Sequence, residues 1–148
     1  MGAQLGGAAK NIFAIAAGAI TGAGLGENAR AALITRGVAE MARLAVALGG
    51  RAETVSGLSG LGDMILSCGS STSRNFALGF SLGQGAALTD LLSADGPVVE
   101  GVATAPAILA RAGDLDLPVI RAVADLLAGE VTLGEAIGRL LARKLKDE

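Results

Sequence analysis

An all-α bundle of seven to nine helices is the fold this sequence predicts, and three observations predict it. No stretch alternates Val, Ile and aromatic residues between turn signals, so no strand is convincing. Apolar residues recur at helical spacing over most of the 148 residues. The composition is 51% hydrophobic but only 2% aromatic, without Trp or Tyr. The core must therefore be built from Ala, Leu, Ile and Val, whose small side chains let helices approach closely, and Ala favours helix most of all. The length fits one domain, residues 1–148, with enough chain for a real core.

The first helix is expected to begin near Lys10 and run to about Thr21. Gly18, Gly22 and Gly26 recur at every fourth position, which clears one face for a close neighbour. They also predict a frayed or kinked helix end, because an interior glycine costs ~1 kcal/mol relative to alanine. The second helix is the clearest. Asn28 is its expected cap, Ala31, Leu33, Ile34, Val38, Met41, Leu44, Ala45 and Leu48 have helical spacing, and Gly49-Gly50 ends it. Glu40 is expected on its polar face, pairing with Arg36 or Arg43.

Short helical pieces are expected at Glu53–Ser56 and Leu61–Ser67, separated by Gly57 and Gly60. The hydroxyls of Ser70–Ser73 offer caps for a helix over Arg74–Leu82. Gly83-Gln84-Gly85 is a turn, Ala87–Ser93 a short helix, and Asp95-Gly96-Pro97 another turn. Gly101–Ala112 reads as a helix interrupted or kinked near Pro106, and Pro118 suits the first turn of a helix reaching Ala128. Thr132-x-x-Glu135 is a capping box for a last helix over Leu133–Leu145. Arg139, Arg143, Lys144 and Lys146 crowd that helix's C-terminal end, where the macrodipole favours cations.

Composition narrows the function. A net charge of −2 and a pI near 5.1 leave no broad basic field, so no nucleic-acid partner is expected. Cys68 stands alone, which forbids an internal disulfide and reads as a small buried hydrophobe. A mean hydropathy of +0.57 raises the question of a membrane span. The best stretch, Ile12–Leu25, falls short of the ~20 apolar residues a bilayer needs, and Gly18, Thr21, Gly22 and Gly24 interrupt it. A helix buried on all sides explains it better than a span or a cleaved signal segment. With no histidine, familiar Ser–His and Cys–His nucleophile pairs are excluded, and no Cys/His set for a metal exists. Gly22-Ala23-Gly24-Leu25-Gly26 lacks GxGxxG spacing and no strand precedes it, so it is not a dinucleotide fingerprint.

What remains is a split constellation: Gly7-Ala8-Ala9-Lys10-Asn11, Gly60-Leu61-Gly62-Asp63 and Ser73-Arg74-Asn75. One amine, one carboxylate, one guanidinium and two amides can hold a small phosphorylated polyol and move a proton on and off its oxygen. Lys10 is read as preceding an apolar helix in a glycine-rich approach, where the helix dipole and desolvation would both lower its pKa toward proton transfer. The plainer alternative is a solvated lysine. Asp63 either caps a helix or faces a polar cleft. Around Arg74, a helix start with neighbouring hydroxyls can bind phosphate through N–H groups and a bidentate guanidinium; the alternative is an ordinary cap beside an exposed arginine.

Together these segments resemble the C-terminal, substrate-binding domain of bacterial-type NAD(P)-dependent glycerol-3-phosphate dehydrogenase. The resemblance runs nearly the whole chain: Gln4-Leu5-Gly6-Gly7-Ala8-Ala9-Lys10-Asn11, Gly24-x-Gly26-x-Asn28-Ala29-Arg30-Ala31-Ala32-Leu33-Ile34-Thr35-Arg36-Gly37, Gly57-Leu58-Ser59-Gly60-Leu61-Gly62-Asp63, Ser73-Arg74-Asn75 and Val98-Val99-Glu100-Gly101. It implies a bundle like the 6-phosphogluconate dehydrogenase C-terminal domain, a cytoplasmic location, and reversible reduction of dihydroxyacetone phosphate to sn-glycerol 3-phosphate.

By the same resemblance Lys10 is the acid/base lysine. Asn11, Asp63, Ser73, Arg74 and Asn75 fall on substrate-binding positions, and Arg74, Val98 and Glu100 on positions that meet NAD or NADP. No metal is implied. The family's preceding Rossmann domain is not seen before Lys10. The expectations are therefore that NAD(P) is held mainly by that other domain, that the chain alone lacks appreciable activity, and that an exposed interdomain face favours self-association as a homodimer. A helical domain of another hydroxyacid or sugar-phosphate dehydrogenase, a non-catalytic interaction domain, and a secreted bundle are the rival readings.

Overall fold

The computed structural model describes residues 2–50, 74–91 and 100–142, and among these it is helical without strands. Helices run α1 (Gly2–Gly22), α2 (Glu27–Ala47), α3 (Arg74–Gly83), α4 (Leu88–Leu91), α5 (Glu100–Ala112), α6 (Pro118–Leu127) and α7 (Leu133–Ala142). The expected pieces at Glu53–Ser56 and Leu61–Ser67, the Asp95–Pro97 turn, Cys68, and Arg143, Lys144 and Lys146 lie outside the described residues.

Helix α1 is the axis of the bundle. It packs on α2, α3, α5 and α6, and every residue from Ile12 to Ile20 is buried, which makes the helix apolar on all sides. Among the described residues no helix is long and apolar enough to cross a membrane. Two expectations for α1 are corrected. It starts at Gly2 rather than near Lys10, because Ala3, Ala8 and Ala9 carry the helix through the glycines. It also continues unbroken through Gly18 to Gly22, because tertiary packing outweighs glycine's weak propensity there.

That packing is the tightest feature of the fold. Gly18 and Gly22 of α1 meet Gly79 and Gly83 of α3, and the two backbones touch. A β-carbon on Gly18 would overlap the Phe76 carbonyl oxygen and stand 2.7 Å from the Phe80 nitrogen. One on Gly79 would overlap the Ile15 carbonyl oxygen and stand 2.9 Å from the Ala19 nitrogen. Gly79 thus sits between Ile15 and Ala19, and Gly18 between Phe76 and Phe80, so α1 and α3 run in the same direction with Gly18 and Gly79 level. Gly26, the third member of the expected row, is not on this face. It precedes α2 with φ 91°, a left-handed conformation that favours glycine.

Helix α2 corrects the sequence reading twice more. Its N-cap is Gly26, without a side-chain cap bond, so Asn28 lies inside the first turn. Its fully buried stripe is Leu33, Arg36, Gly37, Glu40 and Leu44, while Ile34, Val38 and Met41 are only half-buried. Gly37 is part of that stripe because a β-carbon there would press within 3.2 Å of the Phe13 ring. Glu40, expected on the polar face, is wholly buried. Its Oε2 accepts the Val119 amide at 2.6 Å and its Oε1 the Ile120 amide at 3.1 Å.

The reason lies in α6. Its N-cap is Leu117, which cannot cap, and Pro118 has no N–H. Arg121 already bonds the Leu117 carbonyl, so Val119 and Ile120 hold the helix's unsatisfied first-turn donors, and Glu40 takes both. One turn earlier, Arg36 donates to the Leu140 carbonyl near the end of α7. One turn later, Arg43 donates to the Asp116 carbonyl at 2.8 Å. This row of charges on α2 pins both ends of the α6–α7 pair. Glu40→Ala should therefore cost about 2–5 kcal/mol in denaturant unfolding, since two buried N–H groups lose their acceptor at about 1–3 kcal/mol each.

The expected interruption at Pro106 is absent, since α5 runs through it as one helix, whereas Pro118 occupies the first turn of α6 as expected. The capping box at α7 is formed in both directions, Glu135 N–H to Thr132 Oγ1 at 3.1 Å and Thr132 N–H to Glu135 Oε1 at 3.0 Å. Those bonds hold the Glu135 carboxyl below its ordinary pKa. Arg139 pairs with Asp125 of α6 at 2.7 Å rather than serving only the helix dipole.

Candidate functional site

The α1–α3 crossing positions the candidate residues. Its contacts place Gly79 between Ile15 and Ala19 of α1, and Gly18 between Phe76 and Phe80 of α3. Gly18 and Gly79 are therefore level, and continued toward the N-termini the crossing sets the start of α3 level with Phe13 and Ala14, about one turn beyond Lys10 and Asn11. An amine and an amide on one helix therefore lie about one turn from the start of another, where first-turn N–H groups lack intrahelical acceptors. Lys10 and Asn11 are half-buried, Asn75 is 3% exposed and Arg74 is exposed. Lys10 and Asn75 are both engaged with neighbouring groups.

Lys10 needs a correction. It lies eight residues inside α1, not at its start. The dipole's influence is confined to the terminal turn, so the helix end invoked for this lysine does not act on it. The helix start in the constellation belongs instead to α3, which begins at Arg74. Glu100 opens α5, which also packs on α1. Asp63, Ser73 and Val98 lie outside the described residues, as does the side chain of Glu100.

Other hollows among the described residues are apolar and elsewhere. One is lined by Leu82, Leu88, Leu126 and Leu133, another by Ala42, Val46 and Leu115 around Arg43. No group of three or more Cys, Asp or Glu among the described residues could hold a metal. Gly24 and Gly26 join two helices, which removes the dinucleotide-loop reading on structural grounds.

Sequence reasoning missed Gly79 and Gly83 as partners of Gly18 and Gly22. The signal was present, since both pairs share a four-residue spacing. It also missed the Glu40 cap. The signal there was the placement of Glu40 on the same helical stripe as Leu33, Gly37 and Leu44.

The fold is an all-α domain in which a central helix carrying a Lys–Asn pair is tightly crossed by a second helix that opens with Arg74 and Asn75. The family profile described as NAD-dependent glycerol-3-phosphate dehydrogenase C-terminus matches residues 1–138. Glycerol-3-phosphate dehydrogenase [NAD(P)+] of Hyphomonas neptunium is 53% identical over 150 residues, covering 100% of this chain and 45% of that protein. The protein of the same name from Cereibacter sphaeroides is 57% identical over 151 residues, covering 100% of this chain and 48% of its own length. The crystal structure of glycerol-3-phosphate dehydrogenase from Coxiella burnetii superimposes with a TM-score of 0.87 at 41% identity, over 96% of this chain and 44% of that one. The chain belongs to the family of NAD-dependent glycerol-3-phosphate dehydrogenase C-terminal domains. It spans about half the length of the curated relatives it matches.

Proposed function

We propose that this chain is the substrate-binding and catalytic half of an NAD(P)-dependent glycerol-3-phosphate dehydrogenase that interconverts dihydroxyacetone phosphate and sn-glycerol 3-phosphate. The observation that supports this reading is the close α1–α3 crossing, which brings the start of α3 to within about one turn of Lys10 and Asn11 along α1. The N–H groups of that helix start and the Arg74 guanidinium suit a phosphate dianion. Asn75, buried at the second position of α3, has a fixed amide to orient a hydroxyl or phosphate oxygen. Asp63 and Ser73 complete the substrate set in this reading, and Val98 and Glu100 join Arg74 on the cofactor side.

Bound NAD(P) would supply the hydride chemistry at the substrate carbon. Lys10 does the matching proton work. Its ammonium gives a proton to the carbonyl oxygen during reduction, and its amine recovers that proton from the hydroxyl in the reverse direction. The described residues provide no βαβ unit, so a separate Rossmann domain is the required partner for NAD or NADP. Self-association and a cytoplasmic setting belong to the same reading.

Mixing or fusing the chain with the dinucleotide-binding domain of a close relative tests it. Consumption of NADH or NADPH that depends on dihydroxyacetone phosphate is expected from the joined halves and from neither alone. A folded, joined pair that turns over another phosphorylated or carboxylated substrate instead would transfer the chain to a different dehydrogenase reaction.

A further inference from the structure

Phe13 is a large side chain that the proposed reaction leaves unused, and it lies between the two halves of the proposed site. It is 1% exposed on α1, about one turn beyond Lys10 and level with the start of α3. Residues three apart on a helix are neighbours, and a long helical side chain leans back over the turn N-terminal to its own Cα. The Phe13 ring therefore leans over the turn that carries Lys10, and the stem of a half-buried lysine packs along such an apolar surface. Gly37 of α2 leaves room for the ring, since a β-carbon there would stand 3.2 Å from its Cδ1 and 3.3 Å from its Cγ. We propose that Phe13, seated on Gly37, is a positioning residue: its ring is the wall that holds the Lys10 stem in place for proton transfer. The inference rests on the acid/base role proposed for Lys10.

The support behind the ring is firm. Arg36 and Glu40 stand on either side of Gly37 and tie α2 to the Leu140 carbonyl of α7 and to the Val119 and Ile120 amides of α6. Helix α2 therefore cannot retreat when Gly37 gains a side chain, and the ring has to give. Its neighbours one turn away on α1 are Ala9, Lys10, Ala16 and Ala17. The alanines are buried and have no side-chain torsion to yield, whereas Lys10 is half-buried on a flexible stem. A ring pushed off Gly37 therefore moves the lysine. Close-packed interiors transmit such a shift rather than absorb it. A misplacement of about 1 Å can cost a reaction about 10²-fold in rate.

The contact is tested first, without substrate, on the isotope-labelled 148-residue chain. Cross-relaxation between the Phe13 ring protons and the Lys10 methylenes is expected, with those methylenes shifted upfield and the shift lost in Phe13→Leu. The consequence is tested by steady-state kinetics of the chain joined to a dinucleotide-binding domain. Gly37→Ala and Phe13→Leu should each lower kcat about tenfold with little change in KM for dihydroxyacetone phosphate. Together the two substitutions nearly conserve volume across the contact, so the double variant should return to within about threefold of the parent kcat. Equilibrium unfolding of the same variants separates placement from stability, because a merely structural contact would change stability and leave kcat and its rescue untouched. Absence of the ring–lysine contact would overturn the wall. So would a Gly37→Ala chain with parental kcat, or a double variant no faster than the single ones. Full kcat in Lys10→Ala would overturn the acid/base reading and the positioning role with it; the ring–lysine contact, measured on the chain alone, tells that failure from a failure of the wall. If a variant does not fold, the contact in the unmodified chain decides.

Discussion

Gly79→Ala is expected to abolish the native fold or to destabilise it by at least about 3 kcal/mol, beyond ordinary overpacking of a core. The added methyl would overlap the Ile15 carbonyl oxygen, and the obstacle is backbone, not a side chain that can turn away. Relief requires α1 and α3 to separate along a crossing in which Gly18, Gly22 and Gly83 depend on the same approach. Gly138→Ala is the matched control. Gly138 is exposed inside α7 with open space at its β-position, and alanine should stabilise there by roughly 0.4–1 kcal/mol. Equilibrium unfolding of the two variants checks both signs. A Gly79→Ala chain as stable as the parent would mean that α1 and α3 do not cross at this distance, and the register that assembles the site would be lost with it.

Lys10→Ala, in the chain joined to a dinucleotide-binding domain, should lower kcat by about 10²- to 10⁴-fold, the usual contribution of a positioned general acid. KM for dihydroxyacetone phosphate should change less, because the phosphate is assigned to the start of α3. Arg74→Ala should show the opposite split, with KM raised and kcat moderately affected. Lys10 is half-buried and not part of the fully buried stretch that begins at Ile12, so its truncation leaves the bundle intact. Steady-state kinetics of both variants separates the roles. Retention of full kcat in Lys10→Ala would remove the lysine from the chemistry.

Much of this fold was legible because its helices obey local rules. Pro118 at a first turn, Thr132 with Glu135 as a capping box, and glycine after α2 all mark boundaries by backbone chemistry close in sequence. What escaped was long-range. Helical spacing identified α2 but placed its buried face one residue late, because Glu40 and Arg36 look like surface residues. They are buried by helix termini contributed by α6 and α7, 79 and 104 residues further along. Lys10 was taken for a helix start because Gly6-Gly7 resembles a loop, whereas the alanines around it carry α1 through. The site was legible as a set of residue types. Its assembly was not, because it depends on the matched glycines of α1 and α3, far apart in sequence.

The most direct measurement is titration of the labelled chain with sn-glycerol 3-phosphate, followed by amide shifts, with inorganic phosphate and Arg74→Ala as controls. Saturable shifts gathered at Lys10, Asn11, Arg74 and Asn75, stronger than with phosphate and weakened in Arg74→Ala, are the predicted result. Shifts that saturate elsewhere in the bundle, or that phosphate and the Arg74→Ala chain reproduce in full, would contradict a polyol phosphate site at the α1–α3 crossing.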